Sequence, residues 1–503
     1  MKQRGEVEVL ICGAGAAGLT LAIDLARRGV CFRIVEQMER PFDGSRGKGI
    51  QPRTQEVFED LGILDRIVAA GGLYPPMREY RTDGSWIEKR MFELRTPSHD
   101  VPYFIPLMIP QFLTEGIMRE RLAELGHRVE FGCALVGFEQ GIDAVIARLA
   151  GAAGDEVVSA RYLIGADGGR SFVRGALGID FPGKTLGVRA IVADVKLTGL
   201  ESDAWHQFND GDMERLVAIC PLAGTELFQV QAPIPLDGVP DLSPNGLERM
   251  IAERTGRNDI KVHEISWVSA YSMNARLADR YRIDRVFLTG DAAHVHPPTG
   301  GQGLNTGVQD AYNLGWKLAA ALAGAPDSLL DTYEEERRPI AEQVLGLSTR
   351  MLAGTRKEGG MRRGTDTHQL DIAYPKSSLS YDTSTRQTGS FAGDRMPDAR
   401  LTGAAGQPRR LFDLLAGPHW TLLLTQPSYL PVTAAPNGVR VVTVGAGAEL
   451  RDLDNHLSIR DGQALLIRPD GYVGATFETS SLTDVNHYLS RVLSQQTLEV
   501  ASS

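Results

Sequence analysis

The chain is poor in cysteine and has no long apolar run. Its four cysteines, Cys12, Cys31, Cys133 and Cys220, stand singly among 503 residues. Without a CxxC pair, a disulfide framework, a thiolate zinc site and a dithiol active centre are all disfavoured, and the four read as inert thiols. No stretch approaches the roughly 18 consecutive apolar residues that a bilayer span needs. Basic charge is also in deficit. The 53 Lys and Arg against 63 Asp and Glu leave a formal net charge of −10 and a pI near 5.6, which argues against nucleic acid or an anionic membrane as a partner. Met1 to Gly5 runs straight into an apolar strand pattern with no signal-like segment, so a cytoplasmic protein is expected. The length implies several domains with ample core.

What the chain does have is glycine at three strand ends. Val7 to Cys12 reads as a buried strand, Gly13-Ala14-Gly15-Ala16-Ala17-Gly18 as a tight turn, and the Ala- and Leu-rich stretch to about Arg28 as a helix. Phe32 to Val35 is then a second strand, closed by Glu36. This is a complete βαβ dinucleotide unit. Its glycines permit the turn and the approach of a pyrophosphate, and the acid can bind a ribose hydroxyl. The second site is Tyr162 to Arg174, an apolar strand turning through Gly165-Ala166-Asp167-Gly168-Gly169 into a basic helix start.

The third is the richest. Arg285 to Thr289 leads into Gly290-Asp291-Ala292-Ala293-His294-Val295-His296-Pro297-Pro298-Thr299-Gly300-Gly301-Gln302-Gly303-Leu304-Asn305, and a helical pattern follows with Val308, Ala311, Tyr312, Gly315, Leu318 and Leu322 on one face. Asp291 at a strand end can accept hydrogen bonds from a polyol. Pro297 and Pro298 stiffen the path, while Gly300, Gly301 and Gly303 let backbone approach a planar ligand. The free N–H groups of the helix start, at Leu304 and Asn305, suit an anionic ring edge. His294-x-His296 lacks a third ligand nearby, so no metal is expected.

In this order and spacing the three motifs resemble the FAD-dependent aromatic hydroxylases, single-component monooxygenases of the phenol-hydroxylase and polyketide-tailoring type. The resemblance covers roughly residues 7 to 345. It implies that Gly13, Gly15, Ala17, Gly18 and Glu36 hold the ADP half of FAD, that Asp167 and Arg170 face both FAD and the nicotinamide donor, and that Asp291 with Pro297 to Asn305 holds the ribityl chain and ring. Ser45-Arg46-Gly47 with Pro52-Arg53-Thr54 is similar to the family's flavin-proximal arginine segment, and Gln111 to its ribityl-contacting glutamine. The co-substrates implied are NADPH, or NADH, and O₂. The reaction implied is oxygen transfer from a C4a-hydroperoxyflavin to a phenolic or polycyclic aromatic ring, with a flavin epoxidase or Baeyer–Villiger-type oxygenase acting on a polyketide-like product as the alternative. None of the five tryptophans lies in the WxWxIP pattern of flavin halogenases. Arg46, Pro297 and Pro298 shape the flavin environment, and no residue announces itself as an essential acid or base.

The expected fold is α/β. A Rossmann-like FAD-binding domain occupies residues 1–175 and returns at 281–345, interrupted at 176–280 by a mostly antiparallel substrate-binding sheet. A polar linker follows at 346–393, then a thioredoxin-like module without CxxC at 394–503, with packing support or dimerisation as its role. An inserted sheet with one helix-free face can roof a pocket over a flavin, and Trp205, Phe208, Phe228, Gln229, Tyr271 and Pro297 are the candidate lining residues for a small aromatic or polyketide-like substrate. The sequence leaves the assembly open, with a homodimer the commonest choice.

Overall fold

The computed structural model describes residues 2–92, 96–152, 154–208, 212–298, 300–358, 364–383, 389–425, 438–445, 448–454, 456–457, 459, 462–479 and 482–493. Three eight-stranded sheets organise them. The first is built around Lys2–Cys12, whose Val9, Leu10 and Ile11 are all fully buried, the pattern of a parallel strand covered on both faces. This strand pairs in parallel with Phe32–Glu36 and with Glu156–Gly165, and Val286–Leu288 extends the sheet, again in parallel. The three glycine motifs therefore all leave the carboxyl edge of one sheet, where open α/β sheets bind their ligands. Helix Ala16–Arg27 packs against both Gly303–Leu322 and Gln111–Glu124 at that edge.

The second sheet runs in the order His294–Val295, Lys261–Leu277, Gly183–Thr198, Phe228–Ile234, Val217–Pro221, Trp205–Phe208, Met77–Tyr80, Trp86–Lys89. It is antiparallel except where Trp205–Phe208 meets Met77–Tyr80. Two of its strands thus come from residues 77–89, which the sequence reading left within the FAD-binding part. One face of this sheet is covered by helix Pro244–Thr255. Leu247 and Ile251 pack there with Ile191, Ala193, Val217, Val230, Phe208 and Phe228. The far edge strand, His294–Val295, belongs to the third glycine motif and pairs with Arg276 and Leu277, which stitches the two sheets together.

The third sheet places Trp420–Thr425 between parallel Val439–Val444 and antiparallel Gln463–Ile467, with Val473–Glu478 antiparallel beyond and helix Leu482–Leu493 following. That strand order and sense are those of a thioredoxin core. The stretch expected to be a linker from 346 is instead structured over much of its length. Helix Ser328–Glu358 runs through its beginning, and Thr367, His368, Gln369 and Tyr374 are buried; residues 359–363 and 384–388 lie outside the described residues.

Buried charge joins this module to the rest. Arg468 donates to both carboxylate oxygens of Glu336, at 2.6 and 2.9 Å, while Lys317 Nζ lies 2.8 Å from the same carboxylate. All three side chains are fully buried. Burial pulls Lys317 down to about 8 against the pull of Glu336, and the two cations hold Glu336 well below the usual carboxylate range. Asp470 accepts from Arg468 Nε at 2.9 Å and from Trp316 Nε1 at 3.0 Å. Removing one member of such a cluster strands the others without solvation. Arg468→Ala is expected to destabilise the protein by about 3–5 kcal/mol, read as a fall in the urea midpoint, whereas a charge removed from an exposed pair such as Lys196–Glu264 should shift it by less than about 1 kcal/mol.

Candidate active site

The three motifs meet in one cleft. Gly13 has φ +108°, and a Cβ there would lie 2.2 Å from the Ala166 carbonyl oxygen of the second motif. A Cβ on Gly18 would fall 2.0 Å from Gly13 O. Both positions accept only glycine, so the turn and the helix behind it sit as tightly as a dinucleotide cradle requires. Gly290 of the third motif comes within 3.0 Å of the Ala17 methyl group by the same measure, and within 3.7 Å of Gly307. Backbone bonds complete the junction: Ala166 N–H donates to Cys12 O and Thr289 N–H to Gly165 O.

Glu36 caps the first turn. Its Oε2 accepts from Ala14 N–H at 2.9 Å and its Oε1 from Met38 N–H at 3.0 Å. Asp167 accepts from Val173 N–H through Oδ2, while its buried Oδ1 has no partner among the described residues. Asp291 is exposed, unlike its buried neighbours Gly290 and Ala292, and its carboxylate accepts no hydrogen bond from a described residue. Desolvation by the protein around it raises its carboxyl, with His294 and Arg46 opposing. An unpaired carboxylate facing a cleft lined by Gly13 to Gly18 fits the polyol of FAD, and the unpartnered Asp167 Oδ1 and His296 Nε2 are further atoms a ligand can satisfy.

The ring end is assembled from three chain segments. Gln111 Oε1 accepts from Gly47 N–H at 3.0 Å, and a Cβ on Gly47 would touch both Gln111 and Leu304 at 3.4 Å. Helix Gly303–Leu322 begins here. Its first backbone bond is donated by Thr306 to Gln302 O, so the N–H groups of Gly303, Leu304 and Asn305 precede the helical ladder and carry its positive end. The Asn305 side chain is wholly engaged, accepting from Gln51 N–H and donating to Gly49 O and Gly301 O, so only its backbone is offered to a ligand. Gly300 and Gly301 are both left-handed, at φ +87° and +64°, and Gly300 O is held by Gln51 and Gln302. Pro297 is buried and Pro298 exposed; Thr299 lies outside the described residues.

Arg46 stands on the aromatic faces of Phe42 and Trp267, 5.4 and 5.9 Å from their centroids. Its charge acts on Asp291 on one side and on Tyr271 on the other. Burial lifts the Tyr271 phenol to about 12, with Arg46 pulling it down. Arg53, read with Arg46 as one flavin-proximal segment, turns the opposite way: it binds Glu56 at 2.7 Å and Asp470 O at 2.8 Å and supports the third sheet. Arg170 is exposed.

Among the lining candidates, register decides. Asp194 pairs with Gln229 and Trp267, and Ala190 with Tyr271, so Gln229, Trp267 and Tyr271 share the face turned away from helix Pro244–Thr255. Phe208 and Phe228 lie on the other face, in the core beneath that helix, and do not line the cleft. Phe228 and Gln229 are consecutive residues of one strand and point oppositely. Trp205 packs with Met77, Met108 and Cys220 in a separate cluster. Gln229 is fully buried under Ser45.

Three residues emerge that sequence reasoning passed over. Arg174 donates to Ala292 O at 2.7 Å and Gly169 O at 2.9 Å, fastening the second motif to the third. Asp310 lies 2.6 Å from His294 Nε2 and accepts from Arg337 at 2.7 Å. Glu115, fully buried, accepts from Gln111 Nε2 at 2.8 Å beside the first glycine turn. Burial pushes it up to about 7, against Gln111 and Arg119. His296 is driven down to about 3 by burial and by His294, so it is neutral at physiological pH. Among described residues, the close metal-type donor group Glu130, Cys133 and Glu156 surrounds Arg33, which pairs with both carboxylates.

A family model described as FAD binding domain matches residues 6–348, and one described as aromatic-ring hydroxylase, C-terminal, matches residues 390–495. The chain is 43% identical to a flavin-dependent monooxygenase of Mycobacteroides abscessus, over 96% of this chain and 100% of that one. Among solved structures, it is similar to the flavin-dependent monooxygenase PieE, determined with FAD and substrate, at a TM-score of 0.85 and 26% identity over 98% and 100% of the two chains. It is also similar to aklavinone-11 hydroxylase, determined with FAD and aklavinone, at a TM-score of 0.82 and 29% identity over 98% and 100%.

Two outcomes follow for the cleft. Asp291→Ala is expected to weaken FAD binding about tenfold or more, the loss of roughly one hydrogen bond to a charged group, while Gly13→Ala should purify without flavin; both are read from flavin absorbance and fluorescence titration. For Glu115, the folded value near 7 exceeds the ordinary 4.5, so folding favours the protonated form and stability is lost as pH rises from about 4.5 through 7. Glu115→Gln removes that dependence. The difference in melting temperature, variant minus parent, should therefore grow between pH 5 and pH 8.

Proposed function

This chain belongs to the FAD-dependent aromatic-ring hydroxylases, and we propose that the ring it hydroxylates is a fused, phenolic one of polyketide type, held between the flavin and the antiparallel sheet. The observation that carries this reading is the cleft itself. Arg46 is stacked on Trp267 and acts electrostatically on both Asp291 and Tyr271, while the next residue, Gly47, lies against Leu304 at the start of helix Gly303–Leu322. One full-length structural relative was determined with aklavinone bound, which supports a substrate of that class.

FAD, when bound, takes hydride from NAD(P)H and activates O₂ for insertion into an electron-rich ring. The chain supplies the surroundings. Gly13 to Gly18, Glu36 and Asp291 would hold the cofactor, and Gln111 and the Leu304 N–H would be the groups nearest its ring. The helix N-terminus and Arg46 add positive potential where negative charge gathers on reduction. Buried Pro297 and the bonded loop around Gly300 keep water from that side. Neutral His296, with Nε2 unpartnered, can donate or accept one hydrogen bond without changing the charge of the site. A phenol near Arg46 is stabilised as its anion, which raises electron density at the ring carbon to be attacked. That task needs no dedicated general base.

The test is anaerobic mixing of the yellow protein with NADPH, alone and with simple phenols or fused polyphenols, following flavin bleaching at its visible maximum. A marked acceleration by fused phenolic ligands and, once O₂ is admitted to the reduced mixture, a product heavier by one oxygen on the ring are the expected results. Acceleration by none of them, or oxygen found in an epoxide or an inserted ester, overturns ring hydroxylation.

A further inference from the structure

The loop that carries Arg46 is held from two sides, and Ser45 is the point of attachment on the sheet side. Ser45 N–H donates to Asp194 Oδ2 at 2.7 Å, and its hydroxyl donates to Asp194 Oδ1. Gln229 Nε2 in turn donates to Ser45 O at 2.6 Å and reaches Ser45 Oγ. Gln229 Oε1 is itself oriented by Gln231 Nε2 at 2.6 Å. Asp194, Gln229 and Ser45 are all fully buried. Asp194 and Gln229 sit directly opposite each other on neighbouring strands, and Trp267 sits opposite Asp194 on its other side. From the cofactor side, Gln111 grips the next residue but one: its Oε1 accepts from Gly47 N–H, and its N–H donates to Gly47 O. Arg46 lies between these two grips, stacked on Phe42 and Trp267 and without a carboxylate partner among the described residues.

Neither a polar pair beneath a loop nor a buried carboxylate is needed to close this sheet. An apolar pair at 194 and 229 would serve the core as well, and burying an ionisable group is costly unless it is bonded. Burial does raise the Asp194 carboxyl, and the Ser45 bonds and Lys48 offset this. Asp194 and the amide nitrogen of Gln229 both spend their hydrogen bonds on one residue of the arginine loop.

We propose that Asp194 and Gln229 are positioning residues that act through Ser45 to hold the Arg46 guanidinium at the junction of flavin and substrate, and so set the electrostatic environment of the reduced cofactor. This rests on the FAD-site reading above. The charge of Arg46 reaches both Asp291 and Tyr271 only while the loop stays seated. If it lifts, the cofactor loses a fixed cation without losing any direct contact of its own to Asp194 or Gln229.

The experiment is a redox titration of the bound FAD with dithionite, which needs neither NADPH nor substrate, on Arg46→Ala, Asp194→Ala, Ser45→Ala and the Arg46→Ala/Asp194→Ala double variant. Arg46→Ala is expected to lower the flavin potential. Asp194→Ala should reproduce at least half of that shift, Ser45→Ala a smaller part, and the double variant should add nothing to Arg46→Ala alone. Ser45→Ala keeps the backbone bond to Asp194 and serves if Asp194→Ala does not fold. A potential unchanged in folded Asp194→Ala and Ser45→Ala, with only the melting temperature reduced, overturns the positioning role. A potential unchanged in Arg46→Ala overturns it too, by removing Arg46 from the flavin's field. Failure of the hydroxylase reading shows separately, as normal titration behaviour with no ligand-accelerated reduction by NADPH.

Discussion

Much of this molecule depends on one buried carboxylate. Glu336 sits on the long helix Ser328–Glu358 and gathers Lys317, Asn313, Arg468 and Ser377 from the cofactor-side helix, the third sheet and the segment between them. The next residue, Arg337, turns to Asp310, and Asp310 holds His294 in the flavin loop. One turn of helix therefore fixes both the attachment of the last module and the course of the loop that faces the cofactor. Full burial leaves no water to replace a lost partner, so the arrangement is cooperative. Tyr374 extends it. Its hydroxyl accepts from Arg337 at 2.7 Å, and its ring packs on Tyr472 at 4.5 Å between centroids. The absence of cysteine from the last module is consistent with a role carried by packing and charge rather than by thiols.

The cleft depends on a second constraint, the close passage of three backbones at Gly13, Ala166 and Gly290. Parallel strands bring these turns to one edge, and the antiparallel sheet is tied to that edge twice. His294–Val295 pairs with its border strand, and Ser45 is bonded into its middle. The cofactor side and the substrate side are thus parts of one hydrogen-bonded frame. Positive potential from Arg46 and from the start of helix Gly303–Leu322 converges where the frame is open, while the neutral His296 adds polarity without charge.

Several sequence expectations failed for reasons that are physical and local. Phe228 and Gln229 could not both line a pocket, because neighbours on a strand face opposite ways; the alternation was present in the sequence, but which parity faced the cofactor was not. Arg53 resembles a flavin-site residue by its position in a motif, yet the helix Pro52–Asp60 turns it toward Asp470. The glycine- and serine-rich stretch after 346 read as a linker because its composition is polar, whereas Ser377 and Gln369 spend that polarity on buried partners in neighbouring segments. Glu115 and Asp310 carried a weaker signal. Each is an acid on the buried side of an amphipathic helix, which calls for a partner that the sequence cannot name.

The sequence by itself determined the strand–glycine–helix turns at Gly13, Asp167 and Gly290, since a positive φ or a close backbone contact is a local demand that only certain residues meet. With them came the βαβ unit, the family and the cofactor class. Only the tertiary structure decided which face of the antiparallel sheet looks at the cofactor, which arginine stays in the cleft, and how Glu336 and Asp194 are partnered. Those outcomes join residues separated by more than a hundred positions, and their energies come from burial and register, which exist only once the chain has closed on itself.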